Sequence, residues 1–310
     1  MENNVYTRRE AVKLSGLTTL GLLAYPGLLS LKLKDKMLHR TIQSSNQKIP
    51  VVGLGTWQTF DVGNSVEKRE ILTQVLVEMD KLGGSVIDSS PMYGSSEKVV
   101  GDLTSASGLS NKFFYATKVW ISGKEDSIRQ MERSFKLMRR KQMDLMQIHN
   151  LVDWKTHVKT LKDWKEKSKI KYWGITHYVD SSHSLLEKVI KQEKPDFVQF
   201  NYSIKERNAE KSLFETVKKN GTAVLINQPY ESGSLFRVTR GKQLPEWCKE
   251  YDINSWGQYF LKFILSNELV TCVIPGTSKP HHAIDNMMAG YGKMPDAKTR
   301  EKMYTFIRSI

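Results

Sequence analysis

Residues 84–94 read GSVIDSSPMYG, and the reading of this stretch decides the fold. Val86-Ile87, following Gly83-Gly84, is a short apolar run that ends in an acid, Asp88; a Ser-Ser-Pro turn then holds Tyr93 five residues further on. Apolar runs this short, bounded by turn residues, are buried strands. A carboxylate at the end of such a strand, with a phenol just beyond it, is more than a connection needs.

The same unit recurs along the chain. Strand candidates precede it at 51–57 (VVGLGTW) and follow it at 112–120 (KFFYATKVW), 143–150 (MDLMQIHN), 171–178 (KYWGITHY), 196–203 (DFVQFNYS), 221–229 (GTAVLINQP) and 271–277 (TCVIPGT). Between them lie segments such as SVEKREILTQVLVEMDKLG, with apolar residues at three- and four-residue spacing, which reads as helix. Eight strands alternating with helices imply parallel strands and right-handed crossovers. No Gly-x-Gly-x-x-Gly opens a helix after the first strand, which counts against a doubly wound nucleotide-binding sheet. The 261 residues from Pro50 onward match the ~250 of one barrel, so the expected fold is an α/β chain closed as a (β/α)8 TIM barrel.

In a barrel of this kind the C-terminal strand ends share one mouth, where chemistry is done. Those ends supply Trp57, then Asp88 and Tyr93, then Lys118 and Trp120, then His149 and Asn150, with Thr176-His177 and Gln199 further round. Each has a bland reading alone: Lys118 as a surface cap, His149 as a satisfied core histidine. Four convergent groups make the bland reading the minority one. A tyrosine, with pKa near ~10, is a poor acid at neutral pH, and a nearby ammonium is expected to lower that value. The phenol then protonates a carbonyl oxygen, a carboxylate holds the ammonium, and an imidazole orients the carbonyl. There is no metal-ligand spacing and no nucleophilic triad order, so the hydride must come from an external donor.

Composition agrees with a folded catalyst. Apolar residues make up 39% and charged residues 26%, as in an ordinary globule. Two cysteines, Cys248 and Cys272, give no disulfide framework or zinc site, and Cys272 in VTCVIPG reads as apolar filler. The net charge is +14, of which residues 1–40 carry +4 and Lys-rich helical faces much of the rest. Without a nucleic-acid module or aromatic interleaving, these faces are solvated surface, and nucleic acid is not an expected partner.

The N-terminus reads as an address. Arg8-Arg9 in TRREAVK precede an uncharged run from Leu14 to Leu31, a pattern that resembles a twin-arginine export signal. The run is near the length of a membrane span, interrupted by Gly16, Gly21, Pro26 and Gly27. The expected organisation is a signal or membrane anchor over 1–40 and a barrel over 41–310. The export machinery is then a partner, and the product is periplasmic or anchored through residues 14–31 on the outer side of the inner membrane.

From about Ile49 onward the chain resembles the aldo/keto reductase family. The matching pieces are GLGTW, VIDSSPMYGSSE, ATKVW, QIHN, GITHY, VQFNY and VIPGTSKPHHAIDN, in the family's order. The resemblance implies Tyr93 as proton donor, Lys118 as the residue tuning it, Asp88 as the lysine's partner and His149 as the carbonyl-orienting group. It implies a nicotinamide cofactor, NADPH ahead of NADH, with Gly55 and Thr56 at the nicotinamide and Thr176, His177 and Gln199 at its carboxamide. Gln228, Tyr230, Ser232 and Gly233 would follow the cofactor towards the pyrophosphate, and Thr277, Ser278, Lys279, His282 and Asn286 would take the adenosine phosphate. His177 stands where many members have Asn, Asn227 where many have an aromatic platform, and Gly276 and His282 where many have Lys and Arg. Trp57, Trp120 and Asn150, with Met92 and Tyr230, are the expected substrate contacts of an open cleft for a small-molecule carbonyl compound. The expected activity is reduction of an aldehyde or ketone; the alternative is an exported redox sensor or partner subunit that keeps its cofactor and turns over little.

Overall fold

In the computed structural model, which describes residues 36–310, the barrel is preceded by an antiparallel hairpin of β1 (His39–Thr41) and β2 (Lys48–Pro50), Arg40 facing Ile49. The twin-arginine motif and the apolar run 14–31 lie outside the described residues. The hairpin is absent from the strands expected above, since three-residue strands are too short to show a period. The Arg40 side chain donates to the carbonyls of Leu265, Val270 and Asn267, tying the hairpin to the barrel floor. Among the described residues strand pairing begins at His39, inside the segment 1–40.

Eight strands follow: β3 (Leu54–Gly55), β4 (Val86–Asp88), β5 (Phe114–Val119), β6 (Met143–His149), β7 (Ile170–Thr176), β8 (Phe197–Asn201), β9 (Ala223–Asn227) and β10 (Cys272–Val273). They pair in parallel in sequence order. Bridges Val52–Val273 and Gly55–Gly276 join the last strand to the first, so the sheet closes into the expected (β/α)8 barrel. Seven of these strands fall within the expected runs, and β7 begins one residue before its own, at Ile170. The first and last shorten to two residues because their ends meet only through these isolated bridges.

Among the described residues ten α-helices cover the outside: α1 (Val66–Lys81), α2 (Ser96–Ala106), α3 (Lys124–Leu137), α4 (Trp154–Glu166), α5 (His183–Glu193), α6 (Leu213–Asn220), α7 (Ser234–Val238), α8 (Trp256–Leu265), α9 (Pro280–Met288) and α10 (Ala297–Arg308). Ser255 and Asp296 cap α8 and α10 by accepting from the N–H groups of Gln258 and Thr299, satisfying donors that a helix start leaves free. Among the described residues no helix is long and apolar enough to cross a membrane.

Period-two alternation divides each strand between two cores. Tyr115, Val119, Met146, Ile148, Trp173 and Ile175 point outward to the helices. Val86, Phe114, Ala116, Leu145, Tyr172, Phe197, Leu225 and Cys272 fill the interior, plugged from below by Ile42 and Ile49. Cys272 is thus the filler its apolar run suggested. The Phe114, Tyr172 and Phe197 rings meet at 5.5–6.0 Å and close the floor. One or two steps up the same inward faces, the side chains become Asp88, Lys118, Gln147, His149, Thr176 and Gln199. A packed floor under a polar mouth is the result.

Gly101 sets the spacing of two outer helices: a Cβ there would lie 2.2 Å from the backbone oxygen of Leu137. Gly101→Ala is expected to cost about 1–3 kcal/mol of stability, as overpacking does, seen as a lower denaturant midpoint at unchanged slope.

Candidate active site

Lys118 and Asp88 form the base of the site. The lysine is fully buried, and its Nζ donates to Asp88 Oδ2 at 2.5 Å and to the Ser89 carbonyl at 2.7 Å. Burial opposes the charge on Lys118, but Asp88 and Tyr93 together outweigh it and hold the ammonium pKa above its ordinary value. The other carboxylate oxygen, Asp88 Oδ1, accepts from Gln147 at 2.9 Å and Gln199 at 3.0 Å. Three donors from β5, β6 and β8 thus immobilise one carboxylate from β4.

Tyr93 is returned over this pair by its loop. Its N–H donates to the Ser90 carbonyl at 3.0 Å, closing the turn read in the sequence. Asp61, beyond β3, then accepts from Ser95 N–H at 2.8 Å and Ser95 Oγ at 2.7 Å, while Gly94 adopts a left-handed backbone with φ +58°. No Cβ fits at Gly94, since it would meet the Asp61 carboxylate at 2.2 Å. Lys118 Nζ lies 5.1 Å from the centre of the Tyr93 ring.

The phenol departs from the sequence expectation in one respect. Burial raises the Tyr93 pKa by more than Lys118 lowers it, and Asp88 adds to the rise. The net direction is upward, because removing water from a phenolate costs more here than one neighbouring ammonium returns. Tyr93 is therefore held protonated, with Lys118 moderating the rise.

His149 stands edge-on to Tyr93, ring centres 6.0 Å apart, with Trp120 at 6.4 Å on another side. Burial, then the charges of Lys118 and His177, push its pKa down to about 3. The imidazole is accordingly neutral throughout the working range, and its Nδ1 contacts Ser90 Oγ at 3.1 Å. Because a lowered histidine pKa moves protonation to acid, carbonyl reduction is expected to show no limb near ~6.5, the ordinary histidine value. With Tyr93 protonated to high pH, the kcat profile should be flat from about pH 5 to about pH 9, measured with one aldehyde in constant-ionic-strength buffers.

The remaining candidates divide. Thr56 is buried and its hydroxyl faces the Asp88 carbonyl and Ser89 Oγ, both at 3.0 Å; Gly55 pairs β3 to β4 beside it. Thr176 donates to Gln199 Oε1 at 3.2 Å. His177 uses both ring nitrogens in its own loop, Nδ1 accepting from Tyr178 N–H at 3.0 Å and Nε2 meeting Ser182 Oγ at 3.1 Å. Beyond β9, Gln228 has a left-handed backbone, and the Tyr230 hydroxyl donates to Asn286 Oδ1 at 2.6 Å, so two candidates satisfy each other. Ser232 and Gly233 follow on the open side of this loop, Gly233 with φ +86° and free space where a Cβ would lie. Thr277 Oγ1 accepts the Lys279 N–H at 3.1 Å ahead of α9, and Ser278, Lys279 and His282 are exposed there. At the rim, Trp57 and Trp120 are 53% and 42% exposed, while Asn150 Oδ1 is buried without a partner among the described residues. Gln147 and Ser90 were missed in the sequence. The signal for Gln147 was its period-two place with His149 on β6; Ser90 looked like one more turn residue.

Among the described residues no group of three or more His, Cys, Asp or Glu side chains could hold a metal ion. A phenol kept protonated, an ammonium kept charged and an imidazole kept neutral, around one mouth of a parallel barrel, are the equipment of an oxidoreductase acting on carbonyl oxygen. The family model of the Aldo/keto reductase family matches residues 51–300, and the chain belongs to that family.

Methylglyoxal reductase YeaE of Escherichia coli is 24% identical over 254 residues, 79% of this chain and 87% of that protein. Aldo-keto reductase YhdN of Bacillus subtilis is 26% identical over 234 residues, 70% of this chain and 68% of its own. Among solved structures, an aldo-keto reductase from Klebsiella pneumoniae in complex with NADPH superposes with a TM-score of 0.73 at 19% identity, over 87% of this chain and 96% of that one. The holo form of AKR11C1 from Bacillus halodurans gives 0.70 at 19% identity, over 87% and 96%. These likenesses establish the same barrel.

Proposed function

We propose that this chain reduces an aldehyde or ketone with NADPH and that Tyr93 is the acid that protonates the carbonyl oxygen. The observation that carries the reading is the buried Lys118–Asp88 pair beneath the Tyr93 phenol. The names of the relatives and the NADPH complex of a structural neighbour support it. So does a fit at the mouth: Asn227 Oδ1 is buried without a hydrogen-bond partner among the described residues, an acceptor that a carboxamide N–H would satisfy. Gly55, Thr56, Thr176, Gln199 and Asn227 would hold the nicotinamide end. Ser232 and Gly233 would face the pyrophosphate, and Thr277, Ser278, Lys279, His282 and Asn286 the adenosine phosphate. The fixed charge of Lys279 favours NADPH over NADH.

NADPH, when bound, supplies the hydride. His149, uncharged, offers a hydrogen bond that orients the carbonyl oxygen. Tyr93 gives its proton to that oxygen as negative charge develops there, and the Lys118 ammonium steadies the phenolate left behind. Asp88 keeps Lys118 charged and in place. Solvent at the open mouth then returns the proton to Tyr93.

The test is NADPH oxidation by protein 36–310 against a panel of aldehydes, methylglyoxal and sugars, with NADPH binding followed by fluorescence. Turnover with any of them supports the reading. Tight binding without turnover would sink the general reductase claim and favour the cofactor-holding sensor. We propose further that residues 1–40 act as a twin-arginine signal, placing the barrel in the periplasm or on the outer face of the inner membrane. Fractionation of cells expressing the full chain and its R8K/R9K variant tests this; unchanged distribution between the two would overturn it.

A further inference from the structure

Ser90 is fully buried, and among the described residues its hydroxyl has one polar contact, Nδ1 of His149 at 3.1 Å. A serine hydroxyl carries one proton, and a neutral imidazole carries one on one of its two nitrogens. If Nδ1 held the imidazole proton and donated it to Ser90, the serine proton would be buried with no acceptor. If Nδ1 is bare, the serine proton goes to it and both groups of the pair are satisfied. Among the described residues Nε2 has no hydrogen-bond partner, so a proton there is free to meet a bound carbonyl oxygen. The Ser90 carbonyl meanwhile accepts the Tyr93 N–H at 3.0 Å. One residue thus anchors both the acid's loop and the imidazole.

We infer that Ser90 is a positioning residue: its hydroxyl donates to Nδ1 of His149 and fixes the ring as the Nε2–H tautomer, the form that presents a donor to a carbonyl oxygen. The low pKa of His149 agrees, since the ring stays neutral and has a tautomer to be chosen. A neutral histidine without this contact divides between its two forms, and one of them turns a lone pair towards the carbonyl. The catalytic consequence rests on the carbonyl-reductase reading; the tautomer assignment does not.

The test uses the full chain labelled with ¹⁵N in its seven histidines. Long-range proton–nitrogen correlations at neutral pH, with the His149 signals identified by their loss in His149→Asn, show which nitrogen bears hydrogen. The expected result is Nε2–H alone in the parent protein, mixed or Nδ1–H forms in Ser90→Ala, and return of the Nε2–H form in Ser90→Thr. Turnover of Ser90→Ala should fall about tenfold in kcat, the scale of one hydrogen bond, with NADPH affinity unchanged. An Nδ1–H ring in the parent protein, or an unchanged tautomer in Ser90→Ala, would overturn the inference. The spectra need neither cofactor nor substrate. A failure of the carbonyl panel with the expected tautomers would therefore count against the reductase reading and leave the role of Ser90 in place.

Discussion

Tyr93→Phe is expected to lower kcat for carbonyl reduction by about 10²- to 10⁴-fold, the usual worth of a positioned general acid. The substitution removes one oxygen from a half-buried ring whose edge-on contact with His149 is otherwise kept. The fold and the NADPH site should therefore be undisturbed. The measurement is kcat by NADPH oxidation beside the NADPH dissociation constant by fluorescence. A loss confined to kcat assigns the proton to Tyr93. Retention of activity within threefold or so would move the acid to another group, and an equal loss of binding would make the phenol a cofactor contact instead.

Lys118→Met should damage both stability and activity. Nζ and the Asp88 carboxylate are buried together, and removing one partner leaves the other charge uncompensated, at a cost of about 3–5 kcal/mol. Gln147 and Gln199 still donate to Asp88 Oδ1, which keeps the carboxylate hydrogen-bonded but not neutralised. Chemical denaturation of the variant reads that loss. Asp88→Asn in the Lys118→Met background should restore much of it, because no buried charge then remains. Turnover should not return in the double variant, since the phenolate has lost its ammonium. Recovery of stability without activity would separate the two roles of the pair; recovery of both would make Lys118 a purely structural residue.

Much of this protein is legible in its sequence because the barrel repeats one short-range rule. Strand after strand, short runs rich in apolar residues end in polar side chains, and local alternation alone places Asp88, Lys118 and His149 at corresponding ends. The hairpin at residues 39–50 was not legible, because its short strands are held by Arg40 reaching carbonyls more than 220 positions away in the chain. His177 looked like a cofactor ligand, yet its nitrogens are taken up by the backbone and a serine of its own loop.

The sequence by itself determined the fold, the mouth and the identities of the four groups that meet there, since these follow from periodicity and from what each side chain can do. Only the tertiary structure decided their protonation. Tyr93 is raised, Lys118 stays charged and His149 is driven to about 3, because each value depends on how much water and which partners surround the group. Those are sums over burial and neighbours drawn from β4, β5 and the loops after β4 and β7, and no local stretch of chain contains them.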